Sequence, residues 1–229
     1  MASPLTAADL QSLSLFAHLP LDQAETLLAG QITLAVAADQ VLLIQQDEGE
    51  ALLVIQDGLA KVRSFSADGE EVVIALLGPG DLMGEMAVLT QGVRNADVVA
   101  LTPLVAVKLR AGLFRDLVLH DARVCLELAR LLAVRLTATH ARLLLRGADA
   151  TTRLLAVLQD LALTASRGQD PLAPIPPLPQ RELAVMAGLA RPTTSSTLAL
   201  LRERGIVKVD SQGMRIADPQ ALRKRGLLV

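Results

Sequence analysis

The chain has 229 residues, 52% of them hydrophobic, yet it holds three Phe and no Trp or Tyr, so its core must be aliphatic. One cysteine, Cys125, excludes an internal disulfide framework and any cluster that draws several thiolates from one chain. The net charge of −2 hides a division: residues 1–149 hold 11 Lys/Arg and 18 Asp/Glu, whereas residues 150–229 hold 11 and 6. A basic C-terminal third on an acidic body points to nucleic acid at the C-terminal end.

No apolar run reaches the roughly 18–20 residues that span a bilayer. The N-terminus lacks the basic start and apolar segment of a signal peptide, so a cytoplasmic protein with no membrane partner is expected. Residues 7–29 read as short helices, with Leu10, Leu13 and Phe16, then Ala24, Leu27 and Leu28, at helical spacing. From Ile32 to Leu109 the pattern changes to short β-branched runs: Val41–Ile44, Leu52–Ile55, Val72–Ala75, Val98–Ala100 and Leu104–Val107. Turn signals at Ala38-Asp39, Asp57-Gly58, Asp68-Gly69 and Gly78-Pro-Gly-Asp81 separate them, which predicts a sandwich or barrel-like roll.

Between Leu113 and Arg146 no Gly or Pro interrupts the chain, and one long helix is expected. Leu128, Leu132, Leu136, Thr139 and Leu143 form one stripe on it, read as the seam of a homodimer. Gly147-Ala-Asp149 reads as a hinge. A helix over Thr151–Ser166 follows, then a proline-rich loop to Pro179, then helices at Gln180–Ala187 and about Arg191–Arg204 with Gly188 between them. Ile206–Val209, Ser211-Gln-Gly213 and Met214–Ile216 read as a hairpin, and Asp218-Pro219 starts a last short helix. The expected fold is therefore α+β, in three parts: a β-roll over 1–112, a dimerisation helix over 113–147, and a winged helix-turn-helix over 148–229.

In the C-terminal part Leu183, Ala184, Met186 and Ala187 pack the first helix, while Leu198, Leu201 and Ile206 pack the second. The opposite face of the second helix draws on Arg191, Thr193, Thr194, Ser195, Ser196 and Thr197. An Arg can bond a guanine at two points, and hydroxyls reach phosphates or base edges, so this face suits a major-groove reader. For any one Ser or Thr the bland reading is a solvated helix face. No paired catalytic carboxylates, His-Glu-X-X-His, P-loop or nucleophile elbow is present, and His18, His120 and His140 lie far apart, so no enzyme is expected.

The ungapped run Gln180-Arg-Glu-Leu-Ala-Val-Met-Ala-Gly-Leu-Ala-Arg191-Pro-Thr-Thr-Ser-Ser-Thr…Val207 resembles the helix-turn-helix signature of the cAMP receptor protein/FNR superfamily. The resemblance implies double-stranded DNA with a pseudo-palindromic operator as partner, and RNA polymerase with it. It assigns guanine reading to Arg191 and a phosphate contact to Thr193, with Arg181, Thr194, Ser195 and Ser196 completing the DNA-binding set. Pro192 and Ser196 depart from the family's base-reading Glu and Arg, which implies a different operator. Ala190 replaces the usual capping Ser, a role left to Thr193 or Thr194.

A second motif, Gly78-Pro-Gly-Asp-Leu-Met-Gly84-Glu85-Met86-Ala87…Arg94-Asn95-Ala96, resembles the phosphate-binding cassette of cyclic-nucleotide-binding domains. A partly buried Arg94 can hold a cyclic phosphate by two charge-assisted bonds, while small residues at Gly84 and Ala87 admit the ligand to backbone N–H groups. By resemblance Glu85 takes the ribose hydroxyl, Arg94 the phosphate and Ala87 a backbone contact, with Met86 and Asn95 at the same turn. Asn95 stands where relatives carry Ser. The implied effector is a cyclic nucleotide, cAMP first. Two alternatives stand beside it: Glu85 and Arg94 pairing only with each other, and a ligand-independent or haem-sensing regulator. Thr139 has two readings, an adenine contact by resemblance or a hydroxyl bonded to its own helix backbone.

Overall fold

The structure, a computed structural model, describes residues 3–211 and 213–228. The N-terminal segment forms α1 (Ala7–Gln11), a 3-10 turn at Ser14–Phe16 and α2 (Leu21–Leu28). Eight strands follow: β1 (Ile32–Val36), β2 (Val41–Leu43), β3 (Ala51–Asp57), β4 (Ala60–Phe65), β5 (Glu71–Leu77), β6 (Leu82–Met83), β7 (Asp97–Ala100) and β8 (Leu104–Arg110), with α3 (Glu85–Thr90) between β6 and β7. They make two four-stranded sheets, ordered β1-β8-β3-β6 and β2-β7-β4-β5. All five β-branched runs of the sequence lie in these sheets. β4 was not legible, because Lys61 and Arg63 break its apolar pattern. Yet Lys61 is buried in the folded chain, a placement that only tertiary packing decides.

By packing, the chain divides into two units. One comprises residues 1–62 with 77–139, the other residues 63–76 with 140–229. The core of the first is aliphatic apart from Phe16 and Phe114, which meet edge to face with centroids 6.3 Å apart. A second cluster, including Leu53, Ile55, Met83, Val98 and Leu104, fills the space between sheet strands.

The long helix of the sequence reading is two helices, α4 (Ala111–His120) and α5 (Ala122–Leu145). Asp121 breaks it: its backbone is extended, and its Oδ1 accepts from the N–H groups of Arg123 and Val124 at 2.8 and 3.4 Å. A short carboxylate that satisfies the first free N–H groups of a helix ends the preceding one without Gly or Pro. The predicted dimer stripe also needs correction. Leu128 is only 3% exposed and packs into the domain core, so it cannot serve a seam, and Leu132 is half-buried against the same core. Leu126, Ala129, Ala133, Leu136 and Leu143 are exposed and spaced by threes and fours, with His140 in the same series; Val134 and Leu144 are exposed as well, beside it.

The second unit contains α6 (Ala150–Ala165), α7 (Gln180–Ala187), α8 (Arg191–Glu203), β9 (Val207–Asp210), β10 (Gly213–Ile216) and α9 (Pro219–Arg223). α6 is its central element: Leu154, Leu155, Leu158 and Leu161 are fully buried, and α7, α8 and β10 all pack on it. Asp149 caps α6 by accepting from the N–H groups of Thr151 and Thr152. β9 and β10 pair antiparallel as the wing; the predicted turn residue Gln212 lies outside the described residues. Arg142 explains why the hairpin tip at 63–76 belongs to this unit. It donates to the Ile74 carbonyl at 2.7 Å and to Asp160 Oδ2 at 3.0 and 2.7 Å, joining β5, the end of α5 and α6.

Candidate functional site

The cassette is built on the turn between β6 and α3. Gly84 has φ +89°, a left-handed conformation that a side chain would strain, and a Cβ there would lie 2.4 Å from Arg94 Nη1. The guanidinium of Arg94 is therefore laid directly over the glycine. Arg94 is 5% exposed; it donates through Nη1 to the Gly84 carbonyl at 2.7 Å and through Nη2 to the Ala51 carbonyl. Its own backbone is locked by bonds with Asp47 and Gln46. Two of five N–H donors thus fix the plane of the fork, and the rest remain for an anion. Burial lowers the pKa of Arg94, against the attraction of Glu85 and Asp47.

Glu85, 3% exposed, does not pair with Arg94. Its Oε1 accepts from Arg135 Nη1 at 2.7 Å, and Arg135 Nη2 donates to the Leu82 carbonyl at 2.5 Å, with Asp81 Oδ1 at 3.9 Å. Arg135 is the functional candidate that the sequence reading missed. One signal could have found it: a cation one helical turn before Thr139, the residue singled out on the long helix. Thr139 Oγ1 donates to the Arg135 carbonyl at 2.8 Å, the backbone-bonded reading of this residue.

Gly84, Glu85, Ala87 and Arg94 are buried or half-buried at this turn, with Arg135 of α5 bonded to Glu85. Met86 and Asn95 are placed apart: both are exposed, with Asn95 Nδ2 3.5 Å from Met86 Sδ. Because Gly84 holds the guanidinium in place, Gly84→Ala is expected to cost about 1–3 kcal/mol of stability through backbone strain and displacement of Arg94. Thermal unfolding checks it, and an unchanged midpoint would show that the glycine conformation is unnecessary.

In the second unit α7, Gly188 and α8 form the helix-turn-helix. Gly188 ends α7 at φ +58°, and Arg153 of α6 donates to its carbonyl at 2.5 Å, fastening the turn. α8 begins at Arg191 with Pro192 in its first turn, where a missing N–H costs nothing. Arg191, Thr193, Ser195 and Ser196 are exposed on one side. Ser195 Oγ donates to Gln180 Oε1 at 2.8 Å, and Ser196 Oγ to the Thr193 carbonyl at 3.1 Å.

Thr194 departs from expectation. It is 0% exposed, and its hydroxyl donates to the Ala190 carbonyl at 3.2 Å, so it faces the domain and can neither read DNA nor cap a free N–H. The helical period explains this: Thr194, Thr197, Leu198 and Leu201 form the inner stripe. Arg181, at the start of α7, is exposed and lies 3.5 Å from Glu182 Oε1.

A β-roll with a phosphate-type cassette, followed by a winged helix-turn-helix, defines a DNA-binding regulator with a cyclic-nucleotide-binding type of domain. The family models agree: residues 33–121 match the cyclic nucleotide-binding domain and residues 152–225 the Crp-like helix-turn-helix domain. The chain is 31% identical over 184 residues to the "Cyclic AMP receptor protein" of Thermus thermophilus, covering 80% of this chain and 82% of that one. It is 27% identical to the "CRP-like cAMP-activated global transcriptional regulator" of Mycobacterium tuberculosis, covering 78% and 81%. FixK2 from Bradyrhizobium japonicum shares the fold, with a TM-score of 0.72 at 19% identity over 87% of this chain and 98% of that one. The chain belongs to the cAMP receptor protein/FNR family of transcription regulators. It is a DNA-binding protein rather than an enzyme. Among the described residues no helix is long and apolar enough to cross a membrane.

Proposed function

We propose that this regulator is controlled by cAMP held in the β-roll, and that two copies joined along α5 read a pseudo-palindromic operator. One observation carries the ligand reading. Arg94 is a buried cation whose hydrogen bonds are to neutral carbonyls, and among the described residues no carboxylate is within ion-pair distance. Glu85 and Asp47 attract Arg94 only from beyond that distance; a buried charge without a directly bonded counter-ion is costly, and a cyclic phosphate supplies a bonded negative charge in a geometry that the fork matches. In this reading Arg94 and the backbone at Ala87 take the phosphate, Glu85 the ribose hydroxyl and Thr139 the adenine. Met86 and Asn95 close the outer edge.

Arg135 links the pocket to α5. A ribose hydroxyl arriving at Glu85 competes for the carboxylate that Arg135 now holds at 2.7 Å, so ligand binding changes what α5 is tied to. That differential contact is what a population shift between two arrangements of the dimer helices requires. The shift passes through the segment 147–149 to α8, where Arg191 reads a base and Thr193, Ser195, Ser196 and Arg181 contact phosphates or base edges, with half-sites about one helical turn apart. RNA polymerase is the partner that turns occupancy into a change of transcription.

A second reading has its own support: the Glu85–Arg135 pair and the carbonyl bonds of Arg94 also make a self-contained structural network, as a ligand-independent regulator would keep. Calorimetric titration with cAMP and cGMP, alongside affinity for a duplex selected from random sequence, separates the two. Saturable binding of cAMP below millimolar that changes DNA affinity supports control by cAMP. If neither nucleotide binds in that range and DNA affinity stays constant, the ligand-independent reading stands.

A further inference from the structure

The end of α5 and the start of α6 are joined by the short segment 146–149. A Cβ on Gly147 would meet nothing within 4 Å, so no packing at that point fixes the backbone. What spans the segment is Arg142. It donates through Nε and Nη2 to Asp160 Oδ2 of α6 at 3.0 and 2.7 Å, and through Nη1 to the Ile74 carbonyl of β5 at 2.7 Å. Among the described residues no other side-chain hydrogen bond or ion pair joins α5 to α6. β5 is an edge strand of its sheet, whose outer carbonyls have no strand to accept from. One planar guanidinium therefore ties an edge carbonyl, the end of α5 and the middle of α6 together, and all three groups belong to the second unit.

The same helix is held a second time. Arg135 bonds Glu85 Oε1 at 2.7 Å and the Leu82 carbonyl at 2.5 Å. Arg135 and Arg142 are two helical turns apart, so both leave α5 from one face. A shift or rotation of α5 that follows the release of Arg135 from Glu85 must carry Arg142 with it. Three hydrogen bonds from one rigid fork tolerate little displacement, because such bonds weaken steeply once their distance and angle are lost.

We infer that Arg142 is a clasp across the segment 146–149, holding α5 and α6 in the arrangement of low DNA affinity that the ligand must overcome. The inference rests on the reading that a ligand takes Glu85 from Arg135. The clasp and the Glu85–Arg135 pair stand in one structure, so both belong to the arrangement that such a ligand displaces. Arg142 and Asp160 are 27% and 36% exposed, and a half-exposed pair contributes little to global stability. Between two arrangements of similar free energy, however, a few-fold bias decides which one is populated. Arg142 is thus a positioning residue. It acts through α6, on which α7 and α8 pack.

The test uses the full chain, a duplex selected by it from random sequence in the presence of cAMP, and the variants Arg142→Gln, Arg142→Lys and Asp160→Asn. Without nucleotide, Arg142→Gln and Asp160→Asn are each expected to bind the duplex about 5- to 10-fold more tightly than the parent. Each should also bind cAMP more tightly by a similar factor, because both ligands draw on the same equilibrium, and the gain in DNA affinity given by saturating cAMP should shrink. Arg142→Lys keeps the attraction to Asp160 but cannot bond Ile74 as well, so it should fall between parent and Arg142→Gln. The glutamine and asparagine variants change the net charge in opposite directions. An effect of charge alone would weaken DNA binding in Arg142→Gln and strengthen it in Asp160→Asn, and that split would overturn the inference. Unchanged or weaker DNA binding in both would overturn it too. Failure of the cAMP reading looks different: the parent would then bind no cAMP, while the DNA affinities measured without nucleotide would still test the clasp.

Discussion

Arg94→Ala is expected to raise the dissociation constant for cAMP by about 100-fold or more, with the fold and basal DNA binding retained. Two charge-assisted hydrogen bonds from a desolvated guanidinium contribute about 1.5–3 kcal/mol each, so about 3 kcal/mol is a conservative loss. The substitution also leaves the carbonyls of Gly84 and Ala51 without their side-chain donor, which costs stability on the order of 1–3 kcal/mol. Arg94→Lys separates charge from geometry. A lysine keeps the positive charge but cannot bond Gly84, Ala51 and a phosphate together, so its affinity should lie between parent and alanine. Calorimetric titration reads all three. An unchanged isotherm in Arg94→Ala would remove the phosphate role and leave the guanidinium as a staple of the cassette turn.

The second large effect is expected at the other end of the chain. Arg191→Ala should weaken binding to the selected operator by about 1–3 kcal/mol, roughly 5- to 150-fold, and relax selection at one base pair in each half-site. Arg191 is the exposed cation in the first turn of α8, where its neighbours Thr193, Ser195 and Ser196 are short, while Arg202 is exposed at the far end of the helix. Ser195 and Ser196 already have partners in Gln180 and the Thr193 carbonyl, which leaves less hydrogen-bonding capacity for bases. Discrimination should therefore concentrate at the base that Arg191 meets. Repeating the selection with the variant measures this directly. A uniform loss across all sequences would make Arg191 a phosphate contact instead.

These two residues were legible in the sequence for the same reason. Each is a cation at a fixed distance from a conformational marker, Arg94 from the Gly84-Glu85 turn and Arg191 from Gly188, and both markers adopt the positive φ that only glycine takes easily. The errors also share a cause. Leu128, Leu132 and Leu136 satisfy one helical stripe, but a stripe records periodicity and not what covers it. The core of the first unit takes Leu128 and Leu132, while Leu136 stays 58% exposed. Thr194 misled in the opposite direction, since a threonine at the start of a basic helix suggests DNA yet can occupy an inner position by bonding its own backbone. The break at Asp121 was missed because an aspartate can end a helix only when its carboxylate turns to cap the next one, a choice made by the chain around it.

By itself the sequence determined the order of elements, the basic C-terminal third, the two glycine-marked motifs and hence the family. Those features depend on local backbone preference and on spacing along one segment, and both are written in consecutive residues. Only the tertiary structure decided that Glu85 pairs with Arg135, residues far apart in the chain, and that Arg94 is left buried with its hydrogen bonds to carbonyls and, among the described residues, no carboxylate within ion-pair distance. Which charges end up paired depends on how distant segments meet and how much water they exclude, and no local pattern encodes that.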